Sequence, residues 1–361
     1  MHHKNITINT TKMKKIIFTA VSAALALASC HKEEIVNEIV QVDTTIVNEY
    51  NPSFIIKDFE PITSTVVPVA LHEGDKVAIC APSNATSDED IRDGINTLKF
   101  WGLEVVEAKN LTLSYSRYSG TLDERVKAMQ DMLDDDEIRA IFMTRGGYGA
   151  AQLLPCLDWS KMKQAPKWII GYSDITALHI AVNNMGIASM HGPMMRGFNK
   201  DAASVNALKT LLFGGKADIE IPYNDDCVKG TATGRIVGGN LSLIYAMSGT
   251  AFDVNPIDAI LFIEDTGEAN YSVDRMLLNL QQSGKLELLK GVIVGEFSGG
   301  SQGSDLPLNQ IIHKYLDPLG IPVVYGVQSG HDTVNLPIIL GNEATITVDD
   351  KTAKITFSGF E

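Results

Sequence analysis

From about residue 73 onward, short apolar runs alternate with amphipathic stretches, and this alternation constrains the fold more than any other feature. Short apolar runs bounded by turn residues predict buried strands, and apolar residues spaced three and four apart predict helices. Strands separated by helices form a parallel, doubly wound sheet covered on both faces. In the first half the pattern predicts strands at 76–81, 103–106, 138–143 and 167–170, and helices from the cap Ser87 to Gly102, at 123–133, from 148, and at 174–184.

The pattern weakens between about residues 198 and 234, which contain Gly214-Gly215 and the polar stretch 224–226. We therefore predict an N-terminal domain at 61–200, a linker at 201–235 and a smaller mixed α/β domain at 236–361. In this last region the pattern predicts strands near 260–264, 291–295, 322–325, 344–348 and 353–357, and helices near 240–247, 272–280 and 307–315.

The N-terminus has basic, apolar and small residues in the order that is typical of a secretory signal. Lys14 and Lys15 precede an apolar run at 16–27, and small residues then lead to Cys30. The run is about twelve residues long, too short for the roughly 20 that span a bilayer as a helix. The segment resembles a lipobox, in which Cys30 is lipidated; the alternative is a buried helix with an incidental cysteine.

Residues 1–12 do not fit the signal and are compatible with an upstream mis-start. The polar stretch 31–60 reads as a tether, and Lys32-Glu33-Glu34 resembles a surface-export signal of lipoproteins, although a solvated charge run explains it equally well. We expect an exported protein, lipid-anchored to a membrane and facing the periplasm or the cell surface.

Composition narrows the function classes. The 361 residues include 44 acidic and 30 basic side chains, a net charge of −14, and no local basic stripe is visible, so a nucleic-acid partner is not expected. The four cysteines are widely spaced and form no metal-binding or disulfide pattern. The length suits two domains with a cleft between them, as in many enzymes.

The sharpest motif is the apolar strand that runs through Gly171-Tyr172-Ser173 directly into a helix. This arrangement predicts a nucleophile elbow, with the Ser173 hydroxyl at the carboxyl edge of the sheet and the Asp174 N–H available to an oxyanion. Ile175 stands where the usual elbow has glycine, so the standard α/β-hydrolase fold is not expected. The alternative is that Ser173 caps the helix.

A glycine-rich turn follows the strand at 138–143, and its backbone N–H groups at Gly146 and Gly147 are suited to a phosphate or a tetrahedral oxyanion. The turn matches neither nucleotide-binding glycine pattern, and a plain tight turn is the alternative.

A serine nucleophile needs a base, and the base needs an orienting acid. His331 is the favoured base because it lies in a loop directly after a strand, with His191 as its rival, while His179 lies on an apolar helix face and reads as a core residue. Glu264 ends a buried strand and is the favoured acid, with Asp265 as the alternative.

Together these motifs resemble the LD-carboxypeptidase family of serine peptidases, also called muramoyltetrapeptide carboxypeptidases, which includes the microcin C resistance peptidases. The resemblance covers nearly all of 74–357. The matching stretches are Gly-Asp-Lys-Val-Ala-Ile-Cys-Ala-Pro-Ser, Arg-Gly-Gly-Tyr-Gly, Gly-Tyr-Ser-Asp-Ile-Thr-Ala-Leu, His-Gly-Pro, Gly-Gly-Asn-Leu-Ser-Leu, Leu-Phe-Ile-Glu-Asp, Asp-Arg-Met-Leu and Ser-Gly-His.

The resemblance implies a triad of Ser173, Glu264 and His331, with oxyanion donors at the Asp174 N–H and the Gly146-Gly147 turn. It also implies a flavodoxin-like, parallel-sheet N-terminal domain, a β-rich C-terminal domain, an active site between them, and a homodimer.

The preferred interpretation is a lipid-anchored serine carboxypeptidase that cleaves an L,D bond and releases terminal D-Ala from peptidoglycan tetrapeptides, without metal or organic cofactor. Arg145, Arg196 and Arg275 are candidates to bind substrate carboxylates, with surface salt bridges as the alternative. Two other functions stay open: hydrolysis of a microcin-type peptidyl-nucleotide amide, and solute binding without catalysis.

Overall fold

The computed structural model describes residues 59–359. The predicted signal, Cys30 and the tether up to residue 58 lie outside this part. Within 59–359, no helix combines the length and the apolar composition needed to cross a bilayer.

The elements follow one another in the order that the alternating pattern predicts, with additions. The strands are β1 (Lys76–Cys80), β2 (Glu104–Glu107), β3 (Ile138–Met143), β4 (Trp168–Gly171), β5 (Ser189–His191), β6 (Ile219–Pro222), β7 (Gly230–Asn240), β8 (Ala259–Thr266), β9 (Leu289–Ser298), β10 (Val323–Tyr325), β11 (Ile338–Leu340), β12 (Glu343–Val348) and β13 (Thr352–Phe357). The α-helices are α1 (Asp88–Phe100), α2 (Leu122–Asp134), α3 (Ala150–Leu153), α4 (Ser160–Gln164), α5 (Thr176–Asn184), α6 (Ala202–Leu212), α7 (Leu241–Met247), α8 (Asn270–Gln282) and α9 (Leu308–Leu316).

The first sheet has the strand order β2-β1-β3-β4-β5-β11. Strands β1 to β5 are parallel, and their order is that of flavodoxin-like sheets, which confirms the predicted fold class. Strand β11 pairs antiparallel with β5. These two strands have only three residues each, and the sequence analysis did not predict them.

The second sheet has the order β10-β9-β8-β7-β12-β13-β6. Its half from β10 to β7 is parallel, and its half from β7 to β6 is antiparallel. This region is the β-rich mixed α/β structure that the sequence analysis predicts.

The predicted linker at 201–235 contains regular structure, because it holds α6, β6 and the first half of β7. Asp201 caps α6 by accepting a hydrogen bond from the Ser204 N–H at 2.8 Å, and apolar residues of α6 are buried at helical spacing. The glycines of β7 weaken its apolar pattern, so the sequence analysis missed the strand. The domain boundaries themselves stay a prediction.

The carboxyl end of β7 packs closely against α5, the helix that follows Ser173. The Asn240 N–H donates a hydrogen bond to Thr176 Oγ1 at 3.0 Å. Gly239 has a φ of +130°, and a Cβ at this position would lie 2.6 Å from the same Thr176 Oγ1. A glycine is therefore required where the second sheet meets the helix of the first.

We expect Gly239→Ala to lower the free energy of unfolding by about 3 kcal/mol, because the methyl group adds backbone strain and overlap with Thr176. The control is Gly249→Ala, at a φ of +77° with no atom within 4 Å, where only backbone strain of about 1–2 kcal/mol applies. Urea denaturation measures both. Equal losses would show that the contact with Thr176 has no energetic importance.

Candidate active site

Ser173 lies at a strained turn between β4 and α5. Its φ is +63°, in the left-handed region that residues with a side chain rarely adopt, and it begins a short 3₁₀ turn, Ser173–Ile175. Neither this turn nor α5 has a side-chain cap, so the alternative that Ser173 caps the helix is wrong. Backbone strain of this kind clusters at functional sites.

His179 supports the strand end below this turn. Its Nε2 lies 2.8 Å from the Gly171 carbonyl oxygen, and its Nδ1 lies 2.9 Å from Ser189 Oγ. Complete burial lowers the pKa of His179 to about 4, so the ring is neutral at pH 7. The predicted core role of His179 is confirmed.

The glycine-rich turn after β3 lies directly beside Ser173. A Cβ on Gly146 would lie 2.9 Å from Ser173 Cβ, 3.0 Å from Ser173 Oγ and 3.3 Å from the Asp174 nitrogen. Gly147 has a φ of +117°, and a Cβ there would lie 2.3 Å from the Asn84 side chain. Only glycines allow the backbone of the turn to approach the hydroxyl this closely.

The Asp174 carboxylate is buried beneath the same turn. Its Oδ2 accepts hydrogen bonds from Ser83 Oγ at 2.6 Å and from the Ala150 N–H at 2.8 Å. Burial raises the pKa of Asp174. The sequence carries a signal for these contacts, because a carboxylate in an apolar motif must find buried partners.

The structure brings Glu264 and His331 together. Glu264 is fully buried on β8, and its Oε2 lies 2.7 Å from His331 Nδ1. A carboxylate accepts hydrogen bonds, so in the tautomer that donates Nδ1–H to Glu264 the Nε2 atom is the acceptor of the ring. A Cβ on Gly330 would lie 3.1 Å from Glu264 Oε2, so the residue before His331 also has to be small.

His191 and Asp265, the alternative base and acid, do not take part in the contact between His331 and Glu264. His191 is fully buried, with its ring between those of Tyr172 and Phe262 at centroid distances of 5.9 and 4.9 Å, and burial lowers its pKa well below the usual value. The Asp265 carboxylate accepts hydrogen bonds from Asn240 Nδ2 at 2.9 Å and from the Ser242 N–H at 2.8 Å. Burial raises the pKa of Asp265 to about 6.

A cleft of about 350 Å³ contains several of the predicted residues, Ser173 and His331 among them. Its lining is Arg145, Gly146, Gly147, Tyr172, Ser173, Met194, Arg196, Gly197, Lys200 and His331. The Tyr172 ring meets the His331 imidazole edge to face, with the ring centroids 4.9 Å apart. Ser173 follows a strand of the first sheet and His331 follows a strand of the second, and both line the same cavity.

The charged residues that line this cleft are cationic, in a protein whose net charge is −14. Arg196 forms an ion pair with Asp90 at 3.3 Å, and Arg145 Nη1 lies 3.3 Å from the Ala85 carbonyl oxygen. Partial burial lowers the pKa of Arg145. The sequence analysis missed Lys200, whose signal is its place in the loop after β5, at the carboxyl edge of the sheet.

Arg275, the third predicted arginine, lies elsewhere. Its guanidinium is 6.0 Å from the Tyr245 ring centroid and 5.6 Å from that of Tyr271, and Arg275 is not part of the cleft lining. Among residues 59–359, no group of three or more His, Cys, Asp or Glu side chains is arranged to hold a metal ion.

Two family models match most of the folded part of the chain. Residues 77–192 match the LD-carboxypeptidase N-terminal domain, and residues 233–346 match the LD-carboxypeptidase C-terminal domain. A relative from Bacillus subtilis, named "Probable murein peptide carboxypeptidase", is 33% identical over 80% of this chain and 93% of its own length.

The fold is also shared with solved structures. The muramoyltetrapeptide carboxypeptidase of Oxalobacter formigenes superposes with a TM-score of 0.73 and 26% identity, over 79% of this chain and 99% of that one. The microcin C7 self immunity protein MccF, in complex with aspartyl sulfamoyl adenosine, has a TM-score of 0.71 over 82% of this chain and 98% of its own, and at 24% identity this likeness concerns the fold alone. The two matched domains and the extent of these similarities establish that the chain belongs to the LD-carboxypeptidase family of serine-type hydrolases.

Proposed function

We propose that the protein is an LD-carboxypeptidase that releases terminal D-Ala from peptidoglycan tetrapeptides, with Ser173, His331 and Glu264 as its catalytic triad. The names of the relatives support the substrate class. The hydrogen bond between His331 and Glu264, in the cleft that holds Ser173, supports the triad.

In the proposed mechanism, Ser173 Oγ attacks the carbonyl carbon of the residue before D-Ala, and His331 Nε2 takes the hydroxyl proton. Glu264 holds the Nδ1 proton and stabilises the imidazolium. The oxyanion accepts hydrogen bonds from the Asp174 N–H and from the turn at Gly146. Collapse of the tetrahedral intermediate breaks the amide bond, and His331 returns the proton to the departing D-Ala amine. Water then hydrolyses the acyl-enzyme by the same route.

The cationic lining of the cleft is the observation that favours a carboxypeptidase over an endopeptidase. A C-terminal amino acid offers a free carboxylate within a few ångströms of the scissile bond, and an internal peptide bond does not. Arg145, Arg196 and Lys200 line the same cavity as Ser173, without an acidic residue among the lining. Such cations bind carboxylates through charge-assisted hydrogen bonds.

The triad is tested by the release of D-Ala from a purified tetrapeptide. We expect Ser173→Ala and His331→Ala each to lower kcat by about 10⁴-fold or more, because the triad acts as a unit. The control is His72→Ala, which alters an exposed histidine. A peptide ending in L-Ala should not be cleaved. Near-normal turnover by a folded His331→Ala protein, together with loss of activity in His191→Ala, would show that His191 and not His331 is the base.

The cations are tested by changing the substrate's carboxylate. We expect Arg196→Gln to raise KM for the free acid by about 10- to 100-fold, because one charge-assisted hydrogen bond is lost. A substrate ending in D-alaninamide should be cleaved poorly by wild type and should be little affected by the substitution. Arg275→Gln, outside the cleft, is the matched control. Equal effects on acid and amide would rule out recognition of the carboxylate by Arg196.

The microcin-type alternative has less support. Only residues 267–269 connect β8 to α8, next to Glu264, and so short a connection provides no insertion on which a nucleotide base could stack. Cleavage of a peptidyl-nucleotide amide in preference to the tetrapeptide would favour the alternative.

We also propose that the protein is exported and that a lipid on Cys30 anchors it to a membrane, with residues 31–60 as the tether. The support is the order of basic, apolar and small residues before Cys30. A homodimer stays a prediction from the family resemblance.

Cys30→Ser should abolish labelling by a fatty-acid analogue and release the protein from the membrane fraction, because the acyl chains are the anchor. Cys156→Ser, which alters an exposed cysteine of the folded part, is the control and should leave labelling unchanged. Equal labelling of wild type and Cys30→Ser would refute the lipobox.

A further inference from the structure

The turn at Gly146-Gly147 has no side chains of its own with which to hold its position. Its distance from Ser173 must therefore be set by the residues around it. A Cβ on Gly146 would lie 2.9 Å from Ser173 Cβ, so the turn passes Ser173 without room for a side chain. Two buried ionisable side chains, Asp174 and Arg125, form hydrogen bonds with the residues at the end of this turn and with the loop after β1, and the triad mechanism uses neither side chain.

Asp174 joins the elbow to the end of the turn. Its Oδ2 receives both the Ala150 N–H, at the first residue of α3, and the Ser83 hydroxyl, from the loop after β1. One carboxylate oxygen thus connects the loops that follow β1, β3 and β4. Because the N–H of Asp174 is also a proposed oxyanion donor, a shift of the Asp174 side chain would move that donor.

Arg125 on α2 forms hydrogen bonds with the same loops. Its Nη1 donates hydrogen bonds to the carbonyl oxygens of Pro82 at 2.9 Å and Gly149 at 3.0 Å, and its Nη2 donates to Gln152 Oε1 at 2.7 Å. The side chain is almost completely buried, with 1% of Arg125 exposed. The guanidinium therefore fixes the end of the glycine turn to the loop after β1.

We propose that Asp174 and Arg125 are positioning residues, which together hold the Gly146-Gly147 turn at the distance from Ser173 at which its backbone N–H groups stabilise the oxyanion. The inference rests on the proposed serine-hydrolase function and extends it to side chains that do not touch the substrate. A single oxyanion donor contributes about 10²–10³-fold to kcat, and a misplacement of about 1 Å costs about 10²-fold.

The test uses a graded series at Asp174 and its partner. We expect Asp174→Ala to lower kcat by about 10²-fold with KM changed less than about threefold, because the donors matter in the transition state. Asp174→Asn retains an acceptor oxygen and should restore about tenfold of this loss. Ser83→Ala removes one hydrogen bond and should lower kcat by about fivefold, which keeps the proposal testable if Asp174→Ala does not fold.

A readout independent of the natural substrate is the rate at which a fluorophosphonate labels Ser173, because its phosphonyl oxygen needs the same donors. Labelling should fall in parallel with kcat across the series, and Ser173→Ala should not be labelled. Asp253→Asn is the matched control: Asp253 is also a buried carboxylate, paired with Lys285 at 2.8 Å, and its loss should lower stability and leave kcat and labelling unchanged.

Folded Asp174→Ala protein with kcat and labelling within threefold of wild type would overturn the proposal, as would a loss confined to KM. The substrate assignment fails separately: wild type would then be labelled without cleaving the tetrapeptide, and the labelling series would still support or refute the positioning role.

Discussion

The close approach of two backbone segments at Ser173 is the constraint on which the rest of the structure depends. The turn at Gly146 reaches the strained serine so closely that a single methyl group would separate them. Strain at one residue and the absence of a side chain at another are unfavourable unless their surroundings are rigid. The neighbouring elements supply that rigidity. His179 forms a hydrogen bond with the Gly171 carbonyl at the end of β4, and Asp174 accepts a hydrogen bond from the first residue of α3.

The second sheet completes the site. Glu264, the proposed acid, lies on β8 of the second sheet, and Ser173, the proposed nucleophile, follows β4 of the first. His331, the proposed base, lies in the connection from β10 of the second sheet to β11 of the first. Their relative position depends on the packing of β7 against α5, where Gly239 lets the two sheets approach. The strength of that contact therefore bears on the geometry between serine and histidine as well as on stability.

The sequence predicted those parts that depend on local pattern. The strands β1, β3 and β4 are short, mostly apolar runs separated by helices, and this alternation predicts the parallel sheet. The motif Gly171-Tyr172-Ser173 likewise predicts the turn from strand to helix from its own residues. The sequence did not predict features whose cause lies elsewhere in the chain. Strand β11 forms by pairing with β5, nearly 150 residues earlier in the chain. Lys200 lines the cleft because the loop after β5 lies at the carboxyl edge of the sheet, next to Ser173. The partners of the Asp174 carboxylate come from residues 91 and 24 positions away.

Strand β11 has a consequence for how the molecule behaves as a whole. The chain leaves the second sheet after β10, passes through His331, adds β11 to the edge of the first sheet and returns to the second as β12. The first sheet is therefore incomplete without residues from the last quarter of the chain, and an N-terminal half made alone would expose the edge of β5 to pairing with other chains. The loop that carries the histidine is anchored at its two ends in different sheets. Opening of either sheet would therefore free one end of this loop, so the position of the histidine depends on the integrity of both sheets.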